Sequence, residues 1–149
     1  MPHLHLILNH IPIVGTLAVL LFLLWGIVSG SRDLQRAAFV GALVIALATG
    51  LVFYTGDEAA DALASAPWFS KELLERHDQR AGFTLGAALV MGTLAGFAIW
   101  LSNAKQPVRP LASWLVAAGL VVTLAFGGWT AFAGAVIRHE EIRPKTTSR

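Results

Sequence analysis

Histidine is the side chain in this sequence best suited to chemistry. With no cysteine present, disulfides, thiolate metal sites and thiol catalysis are excluded, and any metal or haem iron must rely on His, carboxylate or Met. A neutral imidazole is a common ligand for both metals and haem iron. Of the five histidines, His10 lies at or just inside the start of a long apolar run, His77 just before another, and His139 just after a third. Three separate segments thus bring an imidazole to a similar position. His10, His77 and His139 are the candidate ligands for haem iron or another metal. Asp57, Glu58 and Asp78 are candidates to orient those imidazoles from behind. No His-Glu-x-x-His, nucleotide loop or nucleophile elbow is present, so nothing specifies hydrolysis or group transfer.

The elements that must position these residues are written in the composition. Hydrophobic residues make up 56% of the 149 and charged residues 13%, far more apolar material than a water-soluble core of this size buries. Four apolar runs, residues 11–28, 37–54, 81–101 and 111–137, each reach or approach the ~20 residues an α-helix needs to cross the hydrocarbon. None carries a charged side chain. The expected fold is all-α: one transmembrane domain over 1–149, a four-helix bundle of two antiparallel hairpins, with helices at about 4–29, 36–55, 71–102 and 111–138. Ser70 is the expected cap of the third helix, which would project from the membrane by about two turns before Ala81. The first helix has two possible starts, one kinked at Pro12 and one capped by Asn9. No Lys or Arg precedes the first run, and it exceeds the roughly 7–15 apolar residues of a signal-peptide core, which reads against cleavage.

Four crossings put both termini and the polar segment 56–80 on one face. The short connections carry Arg32, Arg36, Lys105 and Arg109 against the single acid Asp33, so the positive-inside rule places them in the cytoplasm. The expected location is the bacterial inner membrane with both termini external. Trp25, Trp100 and Trp114 then line the cytoplasmic interface, and Tyr54 and Trp68 the external one. All five histidines fall on the external face. The net charge of +2 is dispersed, which gives no nucleic-acid-binding surface; the expected partners are the lipid bilayer and other membrane subunits or a redox partner.

Small residues form the second pattern. Gly82, Gly86, Gly92 and Gly96 lie at spacings that let helix backbones approach, and Thr123, Gly127, Thr130 and Gly134 form one face of the fourth helix. Tight helix packing accounts for both patterns, and a flat cofactor sliding between helices needs the same small residues. His139 lies on the Gly128, Phe132 and Ala135 side of the fourth helix, and His77 continues the Ala81, Thr84 and Ala88 side of the third. His3 and His5, by contrast, sit near a terminus expected to fray.

The segments Asn9-His10-Ile11-Pro12, Thr55-Gly56-Asp57-Glu58-Ala59-Ala60, Glu75-Arg76-His77 and Ile137-Arg138-His139-Glu140-Glu141-Ile142 resemble marks of a family of small bacterial four-helix membrane proteins of unknown function. The resemblance covers nearly the whole chain and implies the four-helix fold and a role for His10, His77 and His139. This chain lacks the Pro expected after the Gly56 acid and after His139. Two functions compete: electron transfer by a b-type haem held by two of the three histidines, and a non-catalytic accessory subunit of a respiratory or photosynthetic membrane complex. A weaker third, a pH-responsive or ion-handling protein, lacks charged residues deep in the apolar runs.

Overall fold

The computed structural model describes residues 5, 8–102 and 107–143, except for the side chain of Asp57. His3 and Lys105, which figure in the expectations above, lie outside these described residues, as does the Asp57 carboxylate. Among the described residues there are five α-helices and no strand. They are α1 (His10–Val28), α2 (Arg32–Tyr54), α3 (Gly56–Leu63), α4 (Lys71–Leu101) and α5 (Pro110–Arg138), followed by a 3-10 turn (Glu140–Ile142). Four of them, α1, α2, α4 and α5, are long and apolar enough to cross a membrane.

The boundaries follow from local chemistry. Gly30 takes a φ of 67°, the left-handed turn that glycine adopts without strain, and so ends α1 sharply. Ser31 then accepts a hydrogen bond from the Leu34 backbone N–H and caps α2. With that cap, and with Asp33 favoured in the first turn, α2 starts at Arg32, about a turn earlier than hydropathy alone predicts. Ser70 caps α4 in the expected way, accepting from the Leu73 N–H, and α4 runs without a break from Lys71 through His77 to Leu101. Pro110 opens α5, where its missing N–H costs nothing. The polar segment is more helical than expected, because Gly56–Leu63 forms α3.

Asn9 does not cap α1. It has helical dihedrals and no side-chain cap bond, its N–H donates to the His5 carbonyl at 2.9 Å, and both His5 and Leu8 are helical. The backbone is thus already helical at His5, Leu8 and Asn9.

Phe39, Leu23, Met91, Leu120 and Val116 are the largest apolar side chains buried completely, and they knit all four long helices into one core. Glycine sets several of the approaches. A Cβ built on Gly92 would stand 2.6 Å from that of Ala46, one on Gly119 3.1 Å from that of Met91, and one on Gly127 3.5 Å from Ile13. Large apolar side chains also cover the outside, among them Val28, Tyr54, Trp100 and Leu111, each at least 70% exposed. Helices apolar on all sides fit a surround that is not water.

At the end nearest the short connections, polar side chains tie the helices together. The Gln35 amide, 8% exposed, donates to the Gly26 carbonyl at 3.0 Å, and its oxygen accepts from the Ser113 hydroxyl at 2.6 Å, linking α1, α2 and α5. Arg36 donates through Nε to the Ser102 carbonyl at 2.9 Å, joining α2 to the end of α4. Each buried polar group in this clamp has a partner, which makes it stabilising.

Candidate functional site

At the opposite end the packing is more polar. The inward face of the N-terminal helix reads His5, Asn9, Pro12, Thr16, Leu20 and Leu23. The spacings of three and four residues place them on one side, and Pro12, Thr16, Leu20 and Leu23 are buried. His5 and Asn9 continue that face outward, so His5 points toward the other helices, not into solvent.

His5 is held by the end of α2. Its Nδ1 lies 3.2 Å from the Thr55 hydroxyl oxygen, and that hydroxyl donates its only proton to the Val52 carbonyl at 2.9 Å. With that proton on Val52, the Thr55 oxygen accepts from His5 Nδ1–H. The ring lies near Gly56, next in sequence, where a Cβ would make ordinary contact at 3.7 Å from His5 Cε1.

His77 is held by α5 in the same manner. Its Nδ1 lies 3.1 Å from the Thr130 carbonyl, an acceptor only, so this nitrogen also carries the proton. The ring rests on Gly134, where a Cβ would stand 3.2 Å from His77 Cε1 and displace it. The Thr84 hydroxyl donates to the Arg80 carbonyl at 3.1 Å and accepts from Thr130 at 2.8 Å, fastening α4 to α5 one turn away. His77 is within electrostatic reach of His5, and of Asp78 and Arg80.

The two half-buried imidazoles are therefore matched. In each, Nδ1–H is committed to an acceptor of the protein, and Nε2 presents a lone pair with no hydrogen-bond partner among the described residues. Nearby on the face of His5, Asn9 Oδ1 is a wholly buried acceptor without a donor. Such an orphan calls for a donor that the described residues do not supply.

The expected ligands are distributed differently. Only His77 of the three is turned between helices. His10 is exposed. His139 follows the end of α5 with its side chain 56% exposed and its Nδ1 2.9 Å from the Glu141 carboxylate. That carboxylate is held below the usual range, first by its own backbone N–H and then by His139. Glu58 and Asp78 are exposed. Among the described residues no group of three or more His, Asp or Glu side chains could hold a metal ion.

The glycines divide as well. Gly92, Gly127 and Gly134 meet neighbouring helices, whereas a Cβ on Gly82, Gly86 or Gly96 would meet nothing within 4 Å. The reason is helical phase, since Gly82 and Gly86 lie on the outward side of α4. These three do not set any close approach within the chain, in contrast to the packing role expected for them.

Sequence reasoning passed over His5, Asn9, Thr55 and Thr130. The signal that finds them is the register of His5 and Asn9 with Pro12 and Thr16. No family model matches the sequence, and neither a characterised protein nor a solved structure is significantly similar to it. The family resemblance accordingly rests on the short motifs alone.

Proposed function

We propose that this protein is a four-helix bundle of the bacterial cytoplasmic membrane that binds one b-type haem through His77 and His5 near the external face and passes single electrons there. The observation that carries this reading is the matched setting of the two imidazoles, each with Nδ1 held against an oxygen of a neighbouring element. An iron-ligating histidine commonly donates its second ring N–H to a carbonyl or another acceptor, which fixes the ring and raises its basicity. His77 does so to Thr130 and His5 to Thr55. Both are left with Nε2 as the only free donor of a lone pair.

The number of ligands separates haem from a bare metal ion. A structural zinc site takes four side chains, whereas a porphyrin supplies four nitrogens and asks the protein for one or two axial ligands. Two imidazoles within electrostatic reach of each other fit the second requirement. When bound, the haem supplies reversible one-electron chemistry. The residues of the chain hold and orient: Thr130 and Thr55 fix the rings, Gly134 makes room for that of His77, and the apolar helices keep the surround dry.

The short basic connections with Arg32, Arg36 and Arg109 belong on the cytoplasmic side in this reading, and the histidine end outside. The test is to produce the protein with haem available, purify it in detergent, and measure haem per chain together with oxidised and reduced visible spectra. About one haem per chain with a low-spin spectrum supports the reading. Folded protein without haem rejects it in favour of an accessory subunit.

A further inference from the structure

A furrow runs down the outside of the molecule between α4 and α5. Gly82, Gly86 and Val90 form one wall, and Gly119, Val122 and Phe126 the other. It exists because Gly82 and Gly86 face outward with open space where side chains would stand. Toward the histidine end, Phe83, Phe126 and Trp129 form a ring cluster with centroids 6.1–6.3 Å apart. Above them the Arg80 guanidinium lies 4.5 Å from the centre of the Trp129 ring and donates to the Trp129 carbonyl at 3.4 Å. No carboxylate pairs with Arg80 among the described residues.

We propose that this furrow binds one anionic phospholipid of the external leaflet, its phosphate on Arg80 and one acyl chain along the glycines. The proposal rests on the membrane reading above and is independent of the haem. Charge and dimension both support it. A basic side chain at the outer end of an interhelical groove offers an anionic headgroup its counter-charge, and a tryptophan beside it marks headgroup depth. From Arg80 to Val90 the helix rises about 15 Å, half of the ~30 Å hydrocarbon and hence the depth of one leaflet. A second copy of the chain fits less well. Phe83, 50% exposed, and Trp129, 44% exposed, stand over the outer end, where they obstruct a straight helix but not a flexible chain.

Native mass spectrometry of the detergent-purified protein, titrated with phosphatidylglycerol or phosphatidylcholine, tests this. The expected result is one phosphatidylglycerol retained per chain in preference to phosphatidylcholine. Arg80→Gln should lower that retention about fivefold and abolish the preference, and Arg80→Lys should keep most of it. Gly86→Leu, which fills the furrow, should abolish retention with unchanged melting. Equal retention of both lipids, or Arg80→Gln behaving as wild type, overturns the proposal. So does a dimer dissolved by Gly86→Leu, which would make a second copy the occupant. Recovery of the protein from the soluble fraction without detergent would instead refute the membrane reading beneath it.

Discussion

At the residue scale, the two ends of the molecule use polar side chains for opposite purposes. Around Gln35 every donor and acceptor is satisfied within the chain, so the group acts as a clamp. Replacing Ser113 by Ala removes the donor to Gln35 Oε1 and leaves a buried carbonyl unpaired, which should cost about 1–3 kcal/mol in reversible unfolding in mixed micelles. Around His5 and His77 the balance is incomplete: Asn9 Oδ1 is buried with no donor among the described residues, and neither Nε2 has a hydrogen-bond partner among them. Gly134→Val should displace the His77 ring from the Thr130 carbonyl. Haem content should then fall well below wild type while the circular dichroism of the helices persists. Unchanged haem content would show that the Gly134 contact does not position a ligand. The site was only partly legible in the sequence. His77 stood out because it precedes an apolar run, but His10 stood out for the same reason and is exposed. What separates them is rotation about the helix axis: His5 and Asn9 share a face with Pro12 and Thr16, and His10 does not. Proximity to a terminus was a poor guide to His5, because Thr55 holds its ring.

At the element scale, hydropathy located all four long helices, since an uncharged run of twenty or so residues has few other readings. It was weaker where local hydrogen bonds decide, as at Arg32, which Ser31 draws into α2, and at Gly56–Leu63, a polar helix without an apolar run. Glycine spacing was weaker still. Gly92 and Gly96 belong to the same pattern in sequence, yet one is pressed against Ala46 and the other is open. Gly92→Leu should therefore destabilise the folded state by about 1–3 kcal/mol or more through overpacking, whereas Gly96→Leu should stay within about 0.5 kcal/mol. Thermal melts of both variants in the same detergent compare them directly. Equal destabilisation would mean that Gly96 meets a partner outside this chain.

At the scale of the whole molecule, the arrangement is a tied end, an apolar middle and a histidine end, wrapped in outward-facing apolar side chains. On the proposed orientation, a reporter fused at Ser65 should read external, and fusions next to Arg32 or Arg109 should read cytoplasmic. A cytoplasmic reading at Ser65 would invert the proposed orientation and move the histidine end to the inner face. The most direct measurement of the central claim is a set of oxidised and reduced visible spectra on the haem-loaded protein and on His5→Ala, His77→Ala, His10→Ala and His139→Ala. The account predicts that the His77 and His5 variants lose the low-spin spectrum or convert it to high spin, while the His10 and His139 variants match wild type. A low-spin spectrum that survives His77→Ala, or is lost with His10→Ala or His139→Ala, would contradict it.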